Sequence, residues 1–452
     1  MSHQEALTVL AEIPDDNVES LKHLLGNVRA HAGNWNVLPF AQLSKLHAAQ
    51  LVVFDAATDL DGNELPARLA LVMSVDAPLS QHLEELSSVC AAGMDTVFSH
   101  CTGYPAVSER SSASRRRFLE ERSFKADALY INKRGRTVQQ ILQEDFLRRE
   151  ISAFLDSRNF SGLSALEIRR EIVEFVRSRN DLSWALRPAD PPTMRWRLQN
   201  ALHGILFALV TIVFTPLLVI ALPIFVFLLR HHEKREKPDT SAATAERLQA
   251  LRNDEDYWVQ NQMMALGCIK RGLFRRLTMR GLMGIADYAT RHIYNRGSLS
   301  GLNTIHFARW VSFDDGRRMF FSSIYDGSVE NYMNDFIDKA AWGVNGIFGN
   351  GDGFPPTAYL FGKGITDEKA YKRFLPTRLL ATNVWYTAYP HLTTKNIANN
   401  EAIRRGLSFQ MTALQTQEWL KRFGVGNRLP AGGWVARKID GLPWDRICRR
   451  LT

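Results

Sequence analysis

The chain has 452 residues, 45% of them hydrophobic and 23% charged, a balance that excludes a disordered polymer and leaves room for roughly two to four domains. Lys and Arg outnumber Asp and Glu by 56 to 47, a formal +9, which excludes a histone-like polycation and suits an anionic membrane surface. Four cysteines (Cys90, Cys101, Cys268, Cys448) form no CxxC pair and no metal-ligand spacing, so no disulfide scaffold or metal site is expected and a reducing compartment is the default.

Met1–Ala30 is polar and amphipathic, without the apolar core of a secretory leader. Hydrophobic patterning then predicts a strand at Leu7–Ile13, a helix at Val18–Val28, strands at Leu46–Phe54 and Leu69–Val75, a helix at Leu79–Ala92 and a strand at Thr96–His100. A further strand, Ala128–Asn132, precedes another helix.

From Ala201 to Leu229 the sequence is apolar for 29 residues, with no charge and one histidine, His203. Such a run reads as a membrane segment, and the slightly negative mean hydropathy of the whole chain excludes a polytopic transporter. One straight helix of this length would reach roughly 44 Å, more than the ~30 Å hydrocarbon core. Pro216 and Pro223 interrupt it, and both flanks are basic: Arg187, Arg195 and Arg197 before, then Arg230, Lys234, Arg235 and Lys237 after. Positive flanks at both ends favour a re-entrant hairpin turning near Thr215-Pro216 with both ends in the cytoplasm; a tilted single span is the alternative. Residues 233–246 read as a flexible polar linker.

Beyond the block the patterning repeats. Met263–Ile269 is predicted as a strand, Leu273–Ile293 as a helix, Thr304–Phe313 and Met319–Tyr325 as strands joined by Asp314-Asp315-Gly316, Val329–Trp342 as a helix, and Val344–Phe348 and Asn383–Thr387 as strands. Leu43–Asp55 aligns with Leu302–Asp314, with His47 matching His306, and Val97–Pro105 resembles Ile347–Pro355. Tyr130, Thr137, Ile141, Arg148 and Arg149 recur 256 residues later as Tyr386, Thr393, Ile397, Arg404 and Arg405. Three co-linear blocks point to an internal duplication.

Each copy reads βαββαβ, the ferredoxin-like motif. The expected fold is therefore α+β: tandem duplicated ferredoxin-like units forming a pseudo-dimeric α+β barrel around a membrane-embedded helical hairpin. The expected boundaries are 1–155 for the first unit, 156–200 for a helical connector, 201–229 for the membrane segment, 230–258 for a polar linker, 259–412 for the second unit and 413–452 for a C-terminal tail. In element order and duplication the chain resembles the dimeric α+β barrel superfamily, which includes the dye-decolourising peroxidases.

Strand alternation places His306, Ala308, Trp310 and Ser312 on one face and Arg309 on the other; a buried histidine in both copies reads equally as a structural hydrogen-bonding residue. Gly349-Asn350-Gly351-Asp352-Gly353 fits the GxxDG pattern with which dye-decolourising peroxidases place an acid over haem, although a plain turn also explains it. The resemblance implies haem as cofactor, Asp352 as the acid/base, Arg309 or Arg317 as charge stabiliser, and His306 or His100 with Trp310 around the cofactor. No proximal ligand is evident, and GxSxG, GxxxxGK[ST] and HExxH are missing. The basic runs at Ser114–Arg117 and Lys270–Arg276 suit lipid headgroups rather than nucleic acid, and Leu273–Ile293 has the make-up of an interfacial helix. Two functions follow as expectations: a membrane-docked oxidoreductase-like enzyme taking an apolar or lipid-derived small molecule in an inter-sheet cavity, or a non-enzymatic membrane-anchored binding or assembly protein. The expected partners are the lipid bilayer, the apolar ligand and a second copy of the chain.

Overall fold

The computed structural model describes residues 3–30, 37–188, 193–236, 239–255 and 257–424; Lys237, Cys448 and the tail beyond 424 lie outside the described residues. In chain order the elements are β1 (Gln4–Ile13), α1 (Asp15–Ala30), β2 (Leu46–Phe54), β3 (Ala67–Asp76), α2 (Leu79–Val89), α3 (Ala91–Phe98), α4 (Ser112–Glu121), β4 (Ala128–Ile131), α5 (Val138–Asp156), α6 (Ala165–Ser178), α7 (Met194–Glu233) and α8 (Ala245–Arg252). They continue as β5 (Gln260–Cys268), α9 (Leu273–Tyr288), β6 (Ile305–Phe313), β7 (Arg318–Asp326), α10 (Val329–Lys339), α11 (Ala341–Phe348), α12 (Glu368–Arg378), β8 (Leu379–Leu380), β9 (Val384–Thr387), α13 (Thr394–Ser408) and α14 (Ala413–Leu420). The chain forms two compact units, one of residues 1–139 and 191–395, the other of residues 140–190 and 396 onward.

The first unit is α+β, with two antiparallel sheets ordered β1-β3-β2-β9 and β8-β5-β7-β6-β4. The short strands cross over. β9, from beyond the apolar block, pairs with β2 (Val384 opposite Leu51, Thr387 opposite Ala48), while β4, from before it, pairs with β6 (Ala128 opposite Trp310, Ile131 opposite Phe307). Each sheet thus carries an edge strand from the other half of the sequence. In the ferredoxin-like units expected from the sequence the fourth strand would close its own sheet; here each short strand is exchanged and joins the other sheet.

The sheets meet through Leu10, Val52, Phe54, Ala70 and Val72 on one side and Met264, Val311, Phe313 and Phe320 on the other. The Phe54 ring lies 6.0 Å from Phe313 and 5.7 Å from Phe320, so over this stretch the inter-sheet space is closed by packed side chains. The outer faces are covered by helices: Leu21, Leu86, Val97 and Phe118 pack on the first sheet, and Met279, Tyr332, Val344 and Phe374 on the second. Each such fully buried apolar side chain contributes about 1.5–3 kcal/mol.

Two expected strands are helices. Thr96–His100 falls on the end of α3 and the turn after it, and Val344–Phe348 lies within α11. Short apolar runs fit a buried strand or a buried helix turn equally well, and tertiary packing selected the helix. The expected re-entrant hairpin is also corrected: α7 is one continuous helix of 40 residues containing Pro216 and Pro223. No turn forms at Thr215, whose hydroxyl bonds back to the Thr211 carbonyl at 2.6 Å, and each proline forfeits one helical donor without ending the helix. The stretch read as a polar linker carries the end of α7 and all of α8, and Arg247 of α8 donates to the carbonyls of Pro376, Thr377 and Leu379.

The second unit is helical. Leu147, Ile151 and Leu155 of α5, Ile168, Ile172 and Val176 of α6, Ile403 and Leu407 of α13, and Trp419 of α14 form its core. Gly406 is required there, because a Cβ would lie 2.0 Å from the Trp419 indole nitrogen, which donates to Ile403 O at 3.0 Å.

His82 of α2 is fully buried, with Nε2 3.5 Å from the Met73 sulfur. Burial, and then Lys45, push its pKa from 6.5 down to about 4, against the pull of Asp76. Because the folded value is the lower one, protonation favours the unfolded chain: the contribution of His82 is intact above pH 6.5 and is lost as the pH falls toward 4. Replacing His82 by Leu is expected to flatten the acid-side decline in stability by up to about 3 kcal/mol, read from urea unfolding at a series of pH values. An unchanged slope would contradict this.

Candidate functional site

His47 and His306 occupy equivalent and unusual positions. The β2–β3 register passes from Leu46 opposite Val75 to Ala48 opposite Ser74, and the β6–β7 register from Ile305 opposite Tyr325 to Phe307 opposite Ile324. Each histidine is the extra residue of a β-bulge. The bulge breaks the alternation expected from the sequence: Ile305, Ala308 and Trp310 all join the core on the helix side, while Phe307 joins the inter-sheet side.

The two histidines have the same surroundings. His47 Nε2 lies 3.0 Å from Asp76 Oδ1, and Asp76 Oδ2 accepts the Val138 N–H at the start of α5. His306 Nε2 lies 2.7 Å from Asp326 Oδ1, and Asp326 Oδ2 accepts the backbone N–H and the hydroxyl of Thr394 at the start of α13. Opposite each aspartate in the ladder stands a glutamine, Gln4 or Gln260. Gln4 bonds the backbone of Gly135 and Arg136, and Gln260 the carbonyls of Tyr389 and Leu392. Each Gln–Asp–His set therefore ties a strand pair to the segment and helix start that follow the exchanged strand, where a carboxylate also meets the favourable end of the helix dipole.

The sets differ at one atom. The Tyr389 hydroxyl, which burial holds in its protonated form, hydrogen-bonds His47 Nδ1 at 2.8 Å and so fixes the ring from the side opposite Asp76. With His47 1% and His306 4% exposed and the carboxylates committed to helix starts, both sets are built to hold backbone in place.

The residues implied by the peroxidase resemblance are not assembled. Asp352 donates its N–H to Cys268 O at the end of β5, whereas Asp326, the partner of His306, lies opposite Gln260 at its start. Eight residues of strand separate these ends, roughly 26 Å. His100 is on the turn after α3, with Nδ1 3.2 Å from Thr96 O. Trp310 packs against Phe321 on the helix side, 4.9 Å between centroids with the rings tilted by 40°. Arg309 points the other way, donating to Leu7 O at 2.9 Å and Ser74 Oγ at 2.6 Å, and full burial pushes its pKa down to about 9. Arg317 pairs with Asp59 at 2.9 Å. These positions do not fit haem, which needs an imidazole and a distal acid facing one space.

The GxxDG turn instead belongs to the seat of α7. A Cβ on Gly353 (φ +73°) would lie 2.7 Å from both Arg378 Nη2 and Asp239 Cβ. Asn350 accepts from Arg275 at 3.0 Å, and Arg275 and Lys270 both pair with Glu236 just after α7. Glu233, the last residue of α7, is buried and accepts from the Thr357 hydroxyl and from the N–H groups of Tyr359 and Leu360 at 2.8–3.0 Å. At the other end of α7, His203 lies 3.0 Å from His292 Nε2 and 3.3 Å from Asp287, which also holds Arg291. The rings of Phe207 and Tyr288 stack at 4.1 Å, and Phe225 and His232 lie 5.4 and 5.1 Å from Phe274. α7 therefore runs antiparallel along α9, held at both ends.

Sequence reading missed this seat. Its signals were the lone histidine of the apolar block and the first acid after it, Glu233. Between the two ends α7 is bare: it is long and apolar enough to cross a membrane, and only 6% of its most apolar 18-residue window is buried. Sixteen large apolar side chains from Leu202 to Leu228 are exposed, leaving on the order of 15 kcal/mol of burial unrealised. Beneath α9 a cavity of about 420 Å³ is lined by Arg276, Met279, Arg280, Met283, Phe124 and Phe313, among others.

Compared with protein-family models, curated proteins and solved structures, the chain matches none.

If the Gln–Asp–His sets are structural, Asp326→Ala and Asp76→Ala should each lower the unfolding free energy by about 2–4 kcal/mol, because each strands a buried imidazole N–H and a helix-start N–H. Urea titration measures this; a loss below about 0.5 kcal/mol for both would contradict the assignment.

Proposed function

We propose that the protein is a membrane-associated binding or assembly platform, in which a duplicated α+β barrel is anchored to a bilayer by α7 with both halves on one side. The observation that carries this reading is an all-round apolar helix left bare on a unit whose other elements are well buried. The matching Gln–Asp–His sets support the duplication. The exchanged strands support the common side: both sheets contain strands from before and after α7, so a single crossing would divide each sheet across the bilayer. Arg195 and Arg197 before the apolar stretch, and Arg230, Lys234 and Arg235 after it, favour the cytoplasmic side for both ends.

Apolar or lipid-derived molecules reach such a protein from the bilayer. Their binding space lies beside α9, since packed aromatics close the inter-sheet region described above. Neither histidine set offers a free reactive group to a substrate, which favours binding or assembly over catalysis.

The protein should sediment with membranes and resist alkaline carbonate, whereas a triple variant, Val213→Asp, Leu217→Asp and Ile220→Asp, should appear in the soluble fraction. Single cysteines at Arg197 and Lys234, in a background lacking Cys268 and Cys448, should react with a membrane-impermeant maleimide from the same side. Full-length protein soluble without detergent, or labelling from opposite sides, would overturn this reading.

A further inference from the structure

Resting on the membrane reading, we propose that α7 lies flat within one leaflet, clipped at both ends to α9, and that the acyl chains of anionic phospholipid fill a slot between the two helices. Helical periodicity defines the two walls. Phe207 and Phe225, which touch α9, are 18 residues apart, or five full turns, and lie on one stripe of α7. Phe214 and Leu218 fall on that stripe between them, yet they are 50% and 59% exposed. On α9 the stripe through Phe274 and Tyr288 passes Gly281 and Ile285. A Cβ on Gly281 would have nothing within 4 Å, and Ile285 is 58% exposed. The facing stripes therefore touch at their ends and stand apart in the middle, with apolar walls on both sides.

The spans agree with such an arch. From Phe207 to Phe225 is roughly 27 Å of helix, and from Phe274 to Tyr288 roughly 21 Å. Pro216, midway along the longer span, removes one backbone bond where the helix stands away.

Charge selects the lipid. The acids of the seat are spent internally: Glu233 on Arg230 and backbone, Glu236 on Arg275 and Lys270, Asp287 on Arg291 and His203. Arg195, Arg197, Lys234, Arg235 and Arg280 make no ion pair or side-chain hydrogen bond among the described residues, and Arg276 has only a 3.5 Å contact with Asp61. The surface presented around the slot is therefore basic, as contact with anionic headgroups requires.

Spin labels placed singly along residues 205–227 of the full-length protein, in vesicles of mixed phosphatidylcholine and phosphatidylglycerol, test the orientation. Relative collision with oxygen and with a water-soluble nickel complex should show a 3.6-residue ripple and no steady change of depth along the helix. A label replacing Leu218, facing the slot, should be as open to oxygen as one replacing Ile220 on the outer side. The double variant Arg276→Glu, Arg280→Glu should weaken partition onto these vesicles at least tenfold, with no change on pure phosphatidylcholine. A depth profile deepest near residue 216 and shallow at both ends would overturn the flat orientation. An oxygen-inaccessible label at 218, whether from helix contact or a second copy of the chain, would overturn the slot. Protein that never joins the vesicles would overturn the membrane reading itself.

Discussion

The exchange of two short strands governs the architecture. β4 and β9 each contribute only four residues, Ala128–Ile131 and Val384–Thr387, but they close the sheets of the opposite halves. Tyr130 and Ile131 on one, and Val384 and Tyr386 on the other, are buried in the cores they join. Their removal would cost two ladders and several aromatic contacts together, so the halves fold as one body. The apolar helix between them leaves that body and returns to it, so both of its ends are tied to the same unit.

The Gln–Asp–His sets are what make the exchange rigid. Each carboxylate receives a histidine from a bulge and a backbone N–H from the segment after an exchanged strand, so crossing over and helix initiation are coupled through one buried acid. Burial of an unsatisfied carboxylate would be expensive; here both oxygens of each carboxylate have a hydrogen-bond partner. The matching sets occupy matching positions in the two halves and diverge at Tyr389, where the 256-residue spacing places Lys133 in the first half. The tyrosine orients one imidazole; among the described residues none hydrogen-bonds His306 Nδ1 in the same way.

Much of this was legible in the sequence, and the failures have physical causes. The long strands, the late strands at 128 and 383 and the tight turn at Asp314–Gly316 all follow from local pattern. Strand exchange does not, because Ala128–Ile131 reads the same whichever sheet it joins. The bulges were hidden because a one-residue insertion inverts the alternation by which faces are assigned. The GxxDG motif was legible as a turn and misleading as chemistry: Gly349 is required by the carbonyl of Asn345 one helical turn before it, and Gly353 by Arg378 and Asp239, which lie far from it in sequence. The hairpin failed because proline at an apolar midpoint weakens a helix without ending it when the surroundings supply no competing turn.

The way α7 is held is consistent with lipid as its surroundings. In water, a helix exposing this much apolar surface would gain several kcal/mol by closing the gap along α9, a sizeable part of the total stability of a typical domain, about 5–15 kcal/mol. Among acyl chains that gain vanishes, because lipid covers apolar side chains as well as another helix does, and association must come from polar and close aromatic contacts. The seat has that character: His203 with Asp287 and His292 at one end, Glu233 with three donors from Thr357–Leu360 at the other, and stacked rings beside each. Directional contacts hold the ends, and the middle, where only dispersion could act, stands open. A helix selected to pack against protein would have the reverse design, with apolar residues interlocked at the centre and polar groups facing outward.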